Sequence, residues 1–147
     1  MRKLIISWDT YSWVYDIGEE ALKDPDNFTV MIICEDVKKK MRHCPNLCED
    51  AIYTQRKYDL IQICSRIGIK KVSNLLCDED YVPWEWVTAE ITKSIMFGGI
   101  KEIYTSISNP GLEYIRQIAK TLNIECLEFT EREYDKKTEL LALMTGR

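Results

Sequence analysis

Near its amino terminus the chain carries KLIISWDTYS, residues 3 to 12, an apolar run that turns polar and aromatic from Ser7 onward. The apolar residues do not alternate with polar ones, which is typical of a strand buried on both faces of a parallel sheet. Doubly wound α/β domains bind ligands at the carboxyl edge of such a sheet, near the first strand. We therefore expect a crevice at this point, lined by Ser7, Trp8, Asp9, Thr10 and Tyr11.

Strand-like apolar runs and helix-like apolar periodicity alternate along the rest of the chain. Four more strands are predicted at residues 28–34, 71–77, 102–105 and 125–129. Five helices are predicted. The first runs from Trp13 to the break at Asp24-Pro25, and the second runs from Ala51 to Ile67, with Ile61 facing inward. The other three run from Trp84 to Gly98, from Pro110 after an Asn109 cap, and from Asp135 onward. This alternation predicts one α/β domain over residues 1–147, a three-layer α/β/α sandwich with a Rossmann-like, mostly parallel five-stranded sheet.

Composition and charge narrow the classes of function. The 147 residues carry 20 basic and 24 acidic side chains, a formal charge of −4, which disfavours a nucleic-acid coat. The apolar run behind Met1 is too short for a signal peptide or a membrane span, so we expect a cytoplasmic protein with no membrane partner. In that compartment the six cysteines should be reduced.

A basic run follows the second strand at the same predicted sheet edge. It reads KKKMR over residues 38–42 and lies within a segment, from Glu35 to about Glu49, that is predicted to be a loop. Such runs often only keep a loop in solvent, but here they could bind a phosphate or an anionic sugar. Lys38, Lys40 and Arg42 are the candidate ligand-binding cations of the run, and Arg56 could add a bidentate clamp.

One further segment offers soft metal ligands. His43, Cys44 and Cys48 lie within a single stretch, but their spacing is not that of a known zinc knuckle and a second ligand pair is missing. We therefore predict an ordinary surface loop here and no metal or other cofactor.

The order of several motifs resembles that of the PIG-L (LmbE-like) family, zinc-dependent deacetylases that remove N-acetyl groups from sugar conjugates. The family's His-Pro-Asp-Asp motif after strand one is matched by residues 7–10, Ser-Trp-Asp-Thr. The family's Arg-x-x-Glu pattern is matched by Arg56 to Asp59. The Leu-Gly-Ile that follows it in the family is matched within residues 66–69, Arg-Ile-Gly-Ile. The acidic residues 78–80 after strand three, and Lys136 or Lys137 at the start of the last helix, are similar to family features as well.

The departures from the family concern its metal. The resemblance places the zinc ligands at Ser7, at Thr10 and within the Asn109 to Glu113 segment, and none of these positions is a histidine. A catalytic zinc needs three protein ligands and a bound water, so the resemblance implies the family's fold without its zinc chemistry. Only the family's general-base aspartate is kept, as Asp9.

Three hypotheses follow from the sequence. The first is a catalytically inactive relative whose crevice binds a sugar- or nucleotide-type anionic ligand, with Trp8 beside a ring and Asn109 among the polar contacts. The second is a hydrolase of N-acyl sugar or nucleotide derivatives that works without zinc, with Asp9 as general base. The third is an interaction module that self-associates through Trp84 and Trp86 and whose crevice is vestigial.

Overall fold

The computed structural model describes residues 1–35 and 37–130 of the chain. The helix predicted from Asp135, with Lys136 and Lys137, lies outside the described residues. The strands are β1 (Arg2–Ser7), β2 (Phe28–Cys34), β3 (Lys71–Cys77), β4 (Ile100–Ser106) and β5 (Glu125–Phe129). The helices are α1 (Ser12–Lys23), α2 (Val37–His43), α3 (Glu49–Ile67), α4 (Trp84–Gly98) and α5 (Leu112–Leu122).

All five strands are parallel, in the order β3-β2-β1-β4-β5, which confirms the predicted α/β sheet. From β1 the chain builds outward through β2 to β3 and then crosses back to place β4 on the other side of β1. The direction of winding therefore reverses between β1 and β4, the position where open parallel sheets bind ligands.

Helices cover both faces of the sheet because β1 is apolar on both of them. Successive strand residues point to opposite faces. Ile5 packs in a core with α1 and α3, while Leu4 and Ile6 pack in a second core with α4 and α5. All three side chains are fully buried, and the two cores confirm the three-layer α/β/α arrangement.

Two local predictions were wrong. Residues 37–43, expected in a loop, form α2, because lysine, methionine and arginine are good helix formers and Glu79 accepts the backbone N–H groups of Lys38 and Lys39. Ile61, expected inward, is 59% exposed. One residue is about 100° of helix, so Ile61 lies outside the buried stripe that contains Leu60 and Cys64.

Among the described residues, no helix is both long enough and apolar enough to span a membrane.

Candidate functional site

A cavity of about 530 Å³ opens at the carboxyl ends of β1 and β4, where the winding of the sheet reverses. We call it the crevice. Its wall comes from the end of β1, from the loop after β4 and from one face of α2. Ser7, Trp8, Asp9, Ser106, Ser108, Asn109, Lys39 and Arg42 contribute to it.

Asp9 is held in place by the helix that follows it. Its Oδ1 accepts hydrogen bonds from the backbone N–H of Tyr11 (3.0 Å), the backbone N–H of Ser12 (2.8 Å) and the Ser12 hydroxyl (2.9 Å). The first N–H groups of a helix have no partner within the helix, and the Asp9 side chain supplies an acceptor at the start of α1. Within the described chain Oδ2 makes no hydrogen bond, and Asp9 lines the crevice.

The orientation of helix α2 determines which cations of the basic run line the crevice. Lys39 and Arg42 line it together, because residues three apart share a face of a helix. Lys40 is exposed and does not line it. Sequence reasoning missed Lys39 because it assumed a loop; helical spacing across the basic run was the signal that could have found it.

Lys38 points to another set of partners. Its ammonium lies 2.9 Å from Asp80 Oδ2 and 3.1 Å from Asp78 Oδ1 in the segment after β3. These hydrogen bonds raise the pKa of Lys38 and keep it charged. Lys38 is therefore shared between Asp78 and Asp80, and Asp80 also lines the crevice.

Three predicted ligand-binding residues lie behind the crevice wall instead of in it. Thr10 is fully buried and donates a hydrogen bond to Glu35 Oε1 at 2.7 Å. The Tyr11 hydroxyl donates to Asp59, and the Tyr11 ring lies beneath the Arg56 guanidinium, 4.6 Å from its central carbon. Arg56 Nη1 lies 3.9 Å from Glu35 Oε2. The structure thus separates these side chains from Asp9.

Glu35 was not predicted. It is only 1% exposed, and its Oε1 accepts hydrogen bonds from Thr10 and from Asn74 Nδ2, each at 2.7 Å. Its Oε2 has no hydrogen-bond partner in the described part of the chain. Burial raises the pKa of this carboxyl, while the two hydrogen bonds and the Arg56 charge partly offset that rise. Its position, as the first polar residue after an apolar strand, was the available signal.

Asn109 lies in the crevice as predicted, but its amide is engaged with the protein. Nδ2 donates to Thr105 Oγ1 at 3.2 Å and to the Ile6 carbonyl at 3.4 Å, and Oδ1 accepts the Gly111 N–H at 2.9 Å. It therefore joins the end of β1 to the turn before α5. This turn delays the start of α5 to Leu112, two residues later than predicted.

The zinc positions that the family resemblance assigns do not fit a zinc ion here. The Ser7 hydroxyl donates to the Asp9 carbonyl at 2.8 Å, Thr10 is bonded to Glu35, and Asn109 makes the three bonds above. Hydroxyls and amides are poor replacements for the imidazole and carboxylate ligands that zinc prefers. Across residues 1–35 and 37–130, no group of three His, Cys, Asp or Glu side chains is placed to hold a metal, and this includes the segment around His43.

An aromatic stack supports one wall of the crevice. Trp8 stacks on Trp84 with ring centroids 6.4 Å apart, and Trp84 stacks on Tyr114 at 4.7 Å. Gly111 lies against the same ring, since a Cβ there would come within 2.5 Å of Trp84. Trp84 is thus half-buried within the protein, whereas Trp86 is 45% exposed. Self-association through these tryptophans remains a prediction.

No protein-family model matches the chain, and no curated protein matches it. Its sheet and its covering helices nevertheless define the α/β fold of the LmbE-like deacetylases, as the motif order predicted.

Solved structures with this fold include deacetylases and a hydratase. One is a triple mutant of a deacetylase of the teicoplanin biosynthetic pathway, with 15% identity, a TM-score of 0.71, and coverage of 100% of this chain and 83% of that one. N,N'-diacetylchitobiose deacetylase from Pyrococcus horikoshii has 11% identity, a TM-score of 0.72, and coverage of 97% and 69%. The 4-carboxy-2-hydroxymuconate hydratase from Pseudomonas putida has 11% identity, a TM-score of 0.67, and coverage of 100% and 80%. At these identities the likeness establishes the fold alone.

Proposed function

We propose that the crevice binds a small anionic ligand of the sugar or nucleotide type. The observation that carries this proposal is that Lys39 and Arg42 line the same cavity as Asp9. Neither cation has an ion-pair partner within the described chain. The cavity volume of about 530 Å³ lies in the range of small-molecule sites.

Two other carboxylates of the crevice, Glu79 and Asp80, are already hydrogen-bonded to α2. Asp80 is paired with Lys38, and Glu79 accepts the first backbone N–H groups of α2. Among the described lining residues, Lys39 and Arg42 are therefore the cations available to an incoming anion. The Arg42 guanidinium presents a planar fork of donors that suits a phosphate or a carboxylate.

The rest of the crevice suits a polar ring. Asp9 Oδ2 can accept a hydrogen bond from a sugar hydroxyl, and the Ser12 and Ser108 side chains line the same space. Trp8 supplies an aromatic wall of the kind that packs against sugar and base rings. These contacts support binding without requiring that the protein react with its ligand.

A zinc-independent hydrolase is the second candidate, and two observations favour it. The fold is shared with deacetylases, and Asp9 Oδ2 makes no hydrogen bond to the described residues. Proton NMR of N-acetylglucosamine phosphate incubated with the protein tests this candidate by following the release of acetate. Turnover in the wild type that is lost in Asp9→Asn would favour the hydrolase. Intact substrate over a long incubation would exclude it for this compound.

Binding is tested first by mass spectrometry of small molecules released from the purified, denatured protein. Calorimetry with uridine monophosphate and N-acetylglucosamine phosphate as probes then compares Lys39→Ala and Arg42→Ala with the wild type. We expect Arg42→Ala to weaken binding by about 1.5–3 kcal/mol, the usual range for a hydrogen bond to a charged group.

Lys40→Ala is the matched control for these variants. It removes a cation from the same helix, but one that does not line the crevice, so affinity should stay the same. Equal losses in Lys39→Ala, Lys40→Ala and Arg42→Ala would indicate general charge attraction instead of a site.

A further inference from the structure

A second cavity, of about 490 Å³, lies between α3 and the edge strand β3. In the described part of the chain it shares no lining residue with the crevice. Its walls are largely apolar, and three of its aliphatic side chains, Ile61, Val72 and Leu76, are at least 39% exposed. Aliphatic side chains gathered at one concave place are the usual lining of a small-molecule site.

Two polar groups converge on this cavity. Glu35 Oε2 is buried and has no hydrogen-bond partner among the described residues, and Arg56 Nη1 lies 3.9 Å away, beyond hydrogen-bond reach. The Arg56 guanidinium, held against the Tyr11 ring, makes no hydrogen bond within the described chain. An acceptor and a set of donors therefore stand side by side, each with unused hydrogen-bonding capacity.

A bulge in β3 shapes the cavity wall. Ile32 of β2 pairs with Asn74 and Cys34 pairs with Cys77, so two β3 residues oppose a single β2 residue. Leu76 within the bulge has a positive φ of 51°, which is rare for a branched side chain, and it is 59% exposed on the cavity wall.

The Asn74 side chain joins this bulge to the buried carboxylate. Its Nδ2 donates to Glu35 Oε1, and its Oδ1 accepts the Leu76 N–H at 3.0 Å. The Asn74 side chain thus fixes the position of Glu35, at the polar end of the cavity, relative to the wall that Leu76 forms.

We propose that this cavity binds a small amphipathic molecule with a neutral carboxamide head, its aliphatic tail lying against Ile61, Val72 and Leu76. The amide N–H donates to Glu35 Oε2, and the amide carbonyl accepts from Arg56. A carboxylate head would be repelled by Glu35 and an ammonium head by Arg56. A neutral group that both donates and accepts satisfies the two residues at once.

Three probes of equal chain length test the head group: hexanamide, hexanoate and hexylammonium. Each is titrated into methyl-labelled full-length protein and followed by NMR. We expect hexanamide to shift the Ile61, Val72 and Leu76 methyl signals and to bind about tenfold more tightly than either charged probe. No shift with any probe, or equal affinity for all three, would overturn the proposal.

Ile61→Ser tests the location, because it removes an exposed apolar wall without disturbing the core. Hexanamide affinity should fall about fivefold or more, since the tail loses most of one aliphatic contact. Ile107→Ser is the matched control, the same substitution at a 49% exposed isoleucine that does not line the cavity. Equal effects of the two variants would place the binding elsewhere.

The Glu35→Gln variant tests whether Glu35 recognises the head group of the ligand or only stabilises the fold. The glutamine keeps an acceptor for Thr10 and Asn74 but replaces the Oε2 acceptor by a donor and removes the negative charge. The order of affinities should therefore invert, with hexanoate binding more tightly than hexanamide. An unchanged order in a folded Glu35→Gln protein would show that Glu35 does not select the ligand.

Discussion

Thr10 and Glu35, which follow two neighbouring strands, are joined by a hydrogen bond of 2.7 Å between the threonine hydroxyl and Oε1 of the carboxylate. Both side chains are buried. The bond ties the turn after β1 to the end of β2, and it directs Thr10 away from the crevice that Asp9 lines. Neighbouring residues of one motif are thereby divided between a buried environment and the crevice.

Thr10→Val should lower the free energy of unfolding by about 1–3 kcal/mol, because it removes a donor and leaves a buried carboxylate oxygen with one fewer partner. Urea denaturation measures this. Thr121→Val is the control, the same change at an exposed helical threonine, and its effect should stay within about 0.5 kcal/mol. Equal stability of the two variants would show that the Thr10 bond contributes nothing.

The titration of Glu35 should appear in the pH dependence of stability. Burial raises its folded pKa above the ordinary value of 4.5, so the native state binds this proton more tightly than the unfolded chain does. Its contribution to stability is then largest below pH 4.5 and is lost as the pH rises through the folded pKa. Glu35→Gln removes this titration, so the variant should gain stability relative to the wild type as the pH rises. A stability difference that stays constant from pH 4.5 to about 8 would contradict this expectation.

Asp9 should tolerate asparagine better than alanine. Asparagine keeps an oxygen for the Tyr11 and Ser12 N–H groups, whereas Asp9→Ala removes this acceptor at the start of α1. We expect Asp9→Ala to cost about 0.5–2 kcal/mol, as the loss of a helix cap usually does, and Asp9→Asn to cost less. Thermal melts of both variants measure the difference. Equal melting temperatures would show that Oδ1 does not support the helix.

The purified protein should contain no stoichiometric zinc, because Ser7, Thr10 and Asn109 occupy the ligand positions that the family resemblance assigns and are bonded to other groups. Elemental analysis after desalting measures the metal content. A content of about one zinc per chain would contradict the proposal that the crevice binds its ligand without a metal.

All six cysteines are unpaired in the structure and should be reduced, as the compartment predicted from the sequence also implies. Thiol titration of the denatured, unreduced protein should count six, and a count of two or fewer would contradict both the redox state and the compartment. In the native protein the exposed Cys48 should react first. Burial raises the pKa of Cys64 to about 12 and that of Cys126 to about 11, and only the thiolate is the nucleophile.

The elements of the fold could be predicted from local spacing. The unbroken apolar run at Leu4 to Ile6 required cover on both faces, and the alternation of strands with helices required parallel crossovers. The structure has this sheet, with the crevice region beside β1. Apolar periodicity involves residues that are close in sequence, and the burial of their apolar surface stabilises the element that the periodicity predicts.

The sequence by itself determined the five strands, a connecting helix after each of the first four strands, and the sheet edge at which Asp9 lies. Only the tertiary structure decided that Lys39 and Arg42 face the crevice, and that Arg56 meets Glu35 in a different cavity. The reason is physical. Apolar spacing encodes which face of an element is buried, but the partner of a polar side chain depends on the phase of its helix and on distances between elements remote in sequence.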